Sequence, residues 1–515
     1  MRAIMLFRSR AYSSYVAHHA WRGWGMHFAE DDLDRFKSRF RVTLLAVLVC
    51  WAGPSMARVI HVNASAGEIG DGSSWASVYR DLQSALSAAQ SGDEIWVTAG
   101  TLKPSVEVGG TGHRYRAFQL KNGIAIYGGF AGTEISCNQR DWQVNETVLS
   151  GDLEDNDNDN LDVNEPTRQD NCYHVFFHPE GTKLNETAIL DGVTVTGGNA
   201  NDEWRDGHSS GGGMYNCGSH PMVTNCVFRA NTAKKFGIGM HNLQSAPKIT
   251  NCVFKDNASI DDEAGAMTNH SMDESTSPVV INSIFRDNLC VGMDNASSHP
   301  MVINCAFYAN LGSGMRNWES DATVINCTFV GNSTDRYGGG MYNHSADPIV
   351  TNCIFWANSG LGSQIYSDGI SNPTMTYSDI QHGYPGIGNF SADPMFADMA
   401  SGDLRLETGS PCIDSGNNVA IPQSSITDIT GGPRICCERV DMGAYEHCET
   451  LKVSDPVFIP DGGALATNNE VTIICYSPGV EIRCTTDGRE PTQDDLKVQS
   501  GGRPVSYTHL RAHET

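Results

Sequence analysis

The sequence predicts an all-β protein, a right-handed parallel β-helix with an N-terminal capping helix, followed by a small partial β-sandwich. Three observations predict this fold. A short motif recurs six times between residues 211 and 358. Its apolar pieces are brief and are separated by Gly, Asn and Pro, as in stacked short strands. The 515-residue chain has 53 Gly and only 18% charged residues, which favours strands and turns over helix bundles.

Each copy of the motif has two halves, Met-x-Asn and then Asn-Cys-x-Phe-x-x-Asn. The first halves begin at Met214, Met240, Met267, Met293, Met315 and Met341. The second halves begin at Asn225, Asn251, Asn282, Asn304, Asn326 and Asn352, with Ser283 in place of Cys in the third copy. Starts 22 to 31 residues apart are too close for helix pairs and fit one coil of a solenoid.

Coils that stack at ~4.8 Å place identical positions above one another, so each motif position becomes a column. We expect Met and Phe to point inward, and Asn to occupy left-handed turns and to form amide ladders. The Cys column is expected to consist of buried thiols, since its spacing does not fit zinc: Cys226, Cys252, Cys305, Cys327 and Cys353. The disulfide candidates lie outside it: Cys412, Cys436, Cys437 and Cys448.

The segment before the repeats predicts the start of the β-helix, over residues 58–94. A strand at Val59–Val62 precedes a helix from Val78 to Gln90, whose apolar residues share one face. We expect this helix to cover the open end of the first coil, because an uncovered solenoid end exposes core and strand edge. Strands are also predicted at Glu94–Val97, Ile124–Tyr127 and Val193–Thr196.

The two ends of the chain are not expected to belong to the fold. Residues 37–57 combine basic residues, an apolar run and Ser55-Met56-Ala57, which predicts a signal peptide and export. The apolar run is too short to span a membrane. Residues 1–36 are interpreted as a mis-called N-terminal extension, and residues 505–515 as translated sequencing adapter. The net charge of −25 makes nucleic acid an unfavourable partner.

Three segments resemble known families. Residues 59–102, with Asp71-Gly72-Ser73-Ser74-Trp75, look like the N-terminal part of secreted bacterial β-helix proteins of the pectate-lyase-like superfamily. Residues 391–447, with Gly409-Ser410-Pro411-Cys412 and Val440-Asp441-Met442-Gly443, resemble the choice-of-anchor module that closes such helices. Residues 454–504 resemble the C-terminal β-sandwich of chitobiases and hexosaminidases, cut short. The resemblance implies a β-helix over residues 58–450 and a surface-associated protein.

Two columns are predicted to face outward, because neighbours along a strand alternate. One lies between Met and Asn, and the other directly follows Phe. Rings and hydrogen-bonding groups in such a strip suit the apolar faces and hydroxyls of a sugar chain, and ordinary sheet surface is the alternative. The candidate glycan-binding residues are Tyr215, His241, Arg316, Tyr342, Tyr308 and Trp356.

Two charged clusters are further candidates. Arg229, Lys255 and Arg286, with Lys234 and Lys235 near them, form a basic patch that a lyase acting on a polyuronate could use; a solvated face is the alternative. Alternating carboxylates in the loop from residue 151 to residue 164 predict a calcium site, although the loop departs from the EF-hand pattern and a solvated acidic loop is the alternative. Its candidate ligands are Asp152, Asp155, Asp157 and Asp159. No cofactor other than calcium is predicted.

The expected function is an exported cell-surface or extracellular scaffold that binds a polysaccharide or a surface glycan without catalysis. The alternative is a polysaccharide lyase or glycoside hydrolase, and a third interpretation is a purely structural spacer. A hydrolase needs two carboxyl groups facing one groove, and the sequence does not assemble the polygalacturonase set of motifs: Asp261-Asp262 stands without the others. Fold alone does not decide between these classes.

Overall fold

The computed structural model describes residues 57–448 except 68–69, 204–206, 261–263 and 424, together with five short strands beyond residue 448. Three long parallel sheets, A, B and C, run along the molecule. The chain passes from sheet B to sheet A to sheet C in each coil and then returns to sheet B one step further along. The predicted right-handed parallel β-helix is therefore confirmed.

Sheet A has eleven strands and sheet C has ten. The strands of sheet A are Val59–Val62, Glu94–Thr98, Ala125–Phe130, Ile189–Asp191, Met222–Thr224, Lys248–Thr250, Val279–Ile281, Met301–Ile303, Thr323–Ile325, Ile349–Thr351 and Thr374–Thr376. The strands of sheet C are Gly100–Leu102, Thr147–Ser150, Val193–Thr196, Val227–Arg229, Val253–Lys255, Ile284–Arg286, Ala306–Tyr308, Thr328–Val330, Ile354–Trp356 and Asp379–Ile380.

Sheet B has eight strands, and six of them carry the Met-x-Asn halves. They are Phe176–His178, Met214–Cys217, Met240–Leu243, Gly265–His270, Val291–Ala296, Met315–Trp318, Met341–His344 and Ile365–Ser367. Shorter parallel sheets between sheets C and B pair Asn199–Ala200, Thr232–Ala233 and Ala258–Ser259, and Ser333–Tyr337 with Ser359–Leu361.

The remaining elements are short. The capping helix spans Leu82–Ala88, within the predicted range; Asp81 caps its first turn, and Leu82, Ala85 and Leu86 enter the main core. Single 3-10 turns occur at His113–Tyr115, Cys137–Gln139, Pro166–Arg168, Met399–Ser401 and Asn418–Ala420. Phe396–Asp398 pairs with Asp403–Leu406 antiparallel. No helix among the described residues is long and apolar enough to cross a membrane.

The chain ends lie largely outside the described residues. The predicted extension and all but the last residue of the predicted signal peptide are not described. In the predicted β-sandwich, Val457–Ile459 pairs with Thr472–Ile474, and Ile482–Thr485 pairs with Leu496–Val498, both antiparallel. Arg511–Glu514 also pairs with Ile482–Thr485. This backbone pairing does not test the adapter origin of residues 505–515, which stays a prediction.

The columns expected from the motif are present. The Phe rings stack at 4.5–4.8 Å between centroids with planes 3–5° apart. The Asn residues that open the second halves all have φ between 50° and 57°, the left-handed turn predicted for them. Side-chain amides donate from one coil to the next in two buried ladders, at 2.9–3.0 Å from Asn216 to Asn343 and at 2.8–3.2 Å from Asn231 to Asn358.

The five thiols of the Cys column are buried and reduced, as predicted. The thiol of Cys226, for example, lies 3.1 Å from the carbonyl of Thr224. Burial raises the pKa of Cys226, Cys305 and Cys327 well above the ordinary value, so these thiols stay neutral. Outside the column, a disulfide joins Cys436 to Cys448, whereas Cys412 is a buried thiol.

The closing module, residues 391–447, runs back along the corner between sheets A and C. The Asn residues that open the second halves of the motif, here called the outer Asn residues, bind its backbone with their side chains. Asn352 donates to the carbonyl of Asn417 at 3.1 Å, and Asn304 donates to that of Thr427 at 2.8 Å. A buried arginine of the module, Arg434, lies 3.4 Å from the side chain of Asn304. The module therefore covers the side of several coils.

Asp379, on the last strand of sheet C, contacts the closing module and makes the stability of the protein depend on pH. Its buried carboxyl group accepts hydrogen bonds from the Cys412 thiol at 3.2 Å and from the Ala392 amide at 3.1 Å, and burial raises its pKa to about 6. The unfolded value is ~3.9, so the folded state binds more protons between these pH values. Stability from this group is therefore lost above pH 6 and regained as the pH falls towards 4.

We expect the melting temperature of the Asp379→Asn variant to gain less between pH 7 and pH 4.5 than that of the unmodified protein. Thermal unfolding followed by circular dichroism at several pH values measures the difference. Asp403→Asn is the matched control, because hydrogen bonds from Arg405 lower the pKa of that carboxyl group and its contribution has the opposite sign. An unchanged pH profile for Asp379→Asn would contradict the prediction.

Candidate ligand-binding site

The outer face of sheet B carries the column predicted between Met and Asn, but most of its members are covered. Tyr215 pairs with His241, which pairs with Thr268, and Arg316 pairs with Tyr342 further along. The alternation is as predicted, since Met214 enters the main core whereas Tyr215 belongs to a separate cluster. The predicted exposure is wrong for Tyr215, His241 and Arg316, which are 7%, 4% and 8% exposed.

The physical reason is that segments between the coils fold back over the sheet. Gly109 lies against the ring of Phe177, and Gly207 lies against the ring of Tyr215, where a Cβ would approach to 2.5 and 3.0 Å. Both glycines have φ near 80°, which other residues rarely adopt. Arg316 is covered differently, because its guanidinium pairs with buried Asp294 at 2.6 Å.

The residues that directly follow Phe in each coil also do not form a solvent-exposed strip. Gly402 of the closing module lies against the ring of Tyr308, and Trp356 packs on a cluster that includes Leu406 and Met442. Both are half-buried, so the prediction of an open aromatic strip here is wrong. Tyr342 is half-buried and lies 5.9 and 5.7 Å from the rings of Tyr337 and Tyr366.

The basic patch forms on the outer face of sheet C, where Arg229, Lys255 and Arg286 pair in register. Each cation has a carboxylate beside it. Arg229 lies 3.3 Å from Glu146, Lys255 lies 3.5 Å from Asp256, and Arg286 contacts Asp287. The patch therefore carries little uncompensated positive charge.

The acidic loop does not bring its four aspartates together. Asp155 pairs with Lys103 at 2.6 Å, and Asp157 contacts Arg168 at 3.4 Å and accepts from Asn171. Asp152 accepts three backbone amides of the loop, and Asp159 is exposed. No group of three His, Cys, Asp or Glu side chains in the described part of the chain is arranged to hold a metal. Calcium binding by this loop stays a prediction.

Two adjoining cavities open on the outer face of sheet B over its first strands. The larger, about 700 Å³, is lined in part by Phe177, Glu180 and Lys183. The smaller, about 260 Å³, is lined in part by Lys235, Phe236, His241 and His270. Both share the lining residues Gly207, Tyr215, Leu243 and Met272. The volume of the larger cavity is typical of small-ligand sites, and the smaller one extends it.

Aromatic rings form the floor of these cavities. Phe177 lies 5.4 Å from Tyr215, which lies 5.3 Å from His241, and Phe236 lies 6.1 Å from His241. Behind them, His174 stacks on Phe177 at 4.5 Å. The ring of His174 is fully paired, with Nδ1 at 2.9 Å from the carbonyl of Gly211 and Nε2 at 2.8 Å from Nδ1 of His208.

Burial sets the protonation of this region. It lowers the pKa of His241 to about 3, and it lowers that of His174 well below the ordinary value. Both imidazoles are therefore neutral at physiological pH. Burial also raises the pKa of Tyr215, so its phenol stays protonated. The floor is thus uncharged, and the ionisable lining groups are Glu180, Lys183, Lys235 and His270.

The Met-x-Asn pattern marks Tyr215 and His241 but not Phe177, which occupies the same column one coil earlier. Phe177 pairs with Tyr215 in register, and His178 takes the place of the ladder Asn. The signal was Phe176-Phe177-His178, a degenerate copy of Met-x-Asn. The lining residues from loops, such as Glu180 and Gly207, belong to no repeat, so no pattern marks them.

Residues 271–432 match the family model for the right handed beta helix region. None of the curated proteins matches the chain. Among solved structures, pectate lyase Pel9A is 15% identical with a TM-score of 0.46, and the alignment covers 77% of this chain and 98% of that one. The mannuronan C-5 epimerase AlgE4 A-module from Azotobacter vinelandii is 12% identical, with a TM-score of 0.33 and coverages of 64% and 97%.

A complex of XylC with xylose is 10% identical to this β-helix, with a TM-score of 0.32 and coverages of 87% and 95%. All of these identities lie far below the level at which residue roles transfer between proteins.

Proposed function

We propose that this protein is an exported, cell-surface or extracellular β-helix scaffold that binds a polysaccharide or surface glycan without acting on it. The observation that carries the proposal is the pair of adjoining cavities on sheet B, with a floor of aromatic rings. Sugar rings present C–H faces that pack on aromatic side chains and hydroxyls that hydrogen-bond to polar ones. Tyr215, Phe236 and His241 offer both kinds of surface.

The lining favours binding over hydrolysis. A glycoside hydrolase places two carboxyl groups across the scissile bond, about 5–9.5 Å apart. Among the described residues that line the two cavities, Glu180 supplies the one carboxyl group. A polysaccharide lyase remains the alternative, because Lys183 and Lys235 line the cavities and an amine is a base suited to that reaction.

The proposal is tested by glycan-array binding of the full chain, with and without calcium, followed by assays for new reducing or unsaturated ends. We expect binding without new ends. Leu243 is half-buried and lines both cavities, so Leu243→Trp should fill the site and abolish binding. Leu311→Trp is the matched control, since Leu311 is exposed and lines neither cavity.

Three results would count against the proposal. Binding that survives Leu243→Trp would place the glycan elsewhere on the protein. New unsaturated ends that disappear in Lys183→Ala or Lys235→Ala would favour the lyase. Binding that appears only with calcium would point to the loop of residues 151–164 instead of the cavities.

A further inference from the structure

His241 is a polar group of the cavity floor whose ring nitrogens are left unpaired by the described residues. Its ring is 4% exposed, and neither Nδ1 nor Nε2 has a hydrogen-bond partner among the described residues. Two other buried imidazoles of this end of the β-helix are fully paired. His178 contacts Asn216 through Nδ1 and Leu120 through Nε2, and both nitrogens of His174 are also paired.

A buried polar group without a partner costs about 1–3 kcal/mol, so native proteins keep few of them. His241 lines the smaller cavity together with Tyr215 and Phe236, whose rings lie 5.3 and 6.1 Å from its own. Both nitrogens have almost no accessible surface, so a ligand in that cavity supplies the missing partners once the lining side chains that cover them move aside. This is the usual situation of a binding site, in which polar groups are left unpaired until the ligand arrives.

The protonation of His241 restricts the chemistry of that ligand. With a pKa of about 3, the imidazole is neutral, so one ring nitrogen donates a hydrogen bond and the other accepts one. A carboxylate accepts but does not donate, and an ammonium group donates but does not accept. Hydroxyl groups do both. The neighbouring rings of Tyr215 and Phe236 suit the C–H face of a sugar.

We propose that His241 forms the floor of a subsite for an uncharged sugar residue, donating to one hydroxyl oxygen and accepting from another hydroxyl group. This inference rests on the proposed function, of which it specifies the ligand class. Lys235 lines the same cavity and would attract a uronate carboxylate. Preference for a polyuronate is therefore the main competing outcome.

The test compares the full chain with His241→Phe, which keeps an aromatic ring and removes both nitrogens. The probes are cellohexaose, xylohexaose, mannohexaose and hexagalacturonate, titrated by calorimetry. We expect at least one neutral probe to bind more tightly than hexagalacturonate, and His241→Phe to weaken that binding about tenfold or more. Without glycan, the melting temperature of His241→Phe should rise, because the substitution removes unpaired buried polar atoms.

His344→Phe is the matched control, because His344 lies on the same sheet outside both cavities and is paired with Asp368 at 2.8 Å. It should bind the probes normally and should not gain stability. If His241→Phe fails to fold, His241→Leu serves as a second variant without ring nitrogens.

The outcomes separate the two proposals. Neutral probes that bind His241→Phe as well as the unmodified protein, yet not Leu243→Trp, would overturn the inference and leave the proposed function standing. Tighter binding of hexagalacturonate would also overturn it alone. If no glycan binds in the titrations or on the array, both proposals fall.

Discussion

Replacing Phe285 with alanine is expected to lower the free energy of unfolding by about 3–5 kcal/mol, as for other fully buried aromatic residues. Phe285 is inaccessible to solvent and stacks on Phe254 and Phe307, each at 4.8 Å between ring centroids. The substitution therefore removes two stacking contacts together with the buried area. Coils above and below are held by the same hydrogen-bonded sheets and cannot close the gap.

Urea unfolding and hydrogen exchange measure this effect. Exchange locates it, because a solenoid coil contacts mainly its neighbours and can open locally. We expect protection to fall first in the strands around Ile284–Arg286. Leu311→Ala is the control, since Leu311 is exposed and such surface changes are usually within ±0.5 kcal/mol. A loss below about 1 kcal/mol for Phe285→Ala would show that the stack is redundant.

The regular part of the fold is readable from sequence because every coil repeats the same environment. Met240, Asn242 and Phe254 have equivalents on both sides, so a periodic pattern records their packing directly. The motif is harder to recognise where equivalent positions of neighbouring coils carry different residue types. Phe176-Phe177-His178 and Ile365-Tyr366-Ser367 take up the Met-x-Asn position at the two ends of sheet B. There His178 and Ser367 replace Asn in the ladder and still pair with it.

The candidate site is harder to predict from the sequence, because the exposure of an outward-facing side chain depends on which other segments fold over its strand. Alternation placed Tyr215 and His241 on the outer face of sheet B but could not reveal that Gly207 and Phe236 from loops lie against them. The same limit applies to Tyr308, which the closing module covers from almost a hundred residues further along the chain. Contacts of this kind are made once in the molecule and leave no repeat in the sequence.

Replacing Arg434 with alanine is expected to cost about 3–5 kcal/mol, because the substitution leaves a buried carboxylate without its partner. Arg434 is 2% exposed and pairs with Glu446 at 2.9 Å. Its other terminal nitrogen, Nη1, donates to the carbonyl of Ala444 at 3.0 Å. The arginine thus connects the segment around residue 434 with residues 441–446 of the closing module and, through Asn304, with the coils. We expect residues 413–447 to become sensitive to limited proteolysis in Arg434→Ala.

The partner of Arg434 sets how this loss depends on pH. Burial raises the pKa of Glu446 to about 7 even with the arginine present. Without the arginine, the carboxyl group of Glu446 becomes neutral by taking up a proton, so the destabilisation should shrink as the pH falls from 8 to 5.

The double variant Arg434→Met, Glu446→Gln removes both charges and should recover much of the lost stability. Arg405→Ala, which breaks an exposed pair with Asp403 in the same module, should change little. If Arg434→Ala proves equally mild at pH 8, the module is held by its backbone contacts to the outer Asn side chains, and the buried ion pair serves specificity instead of stability.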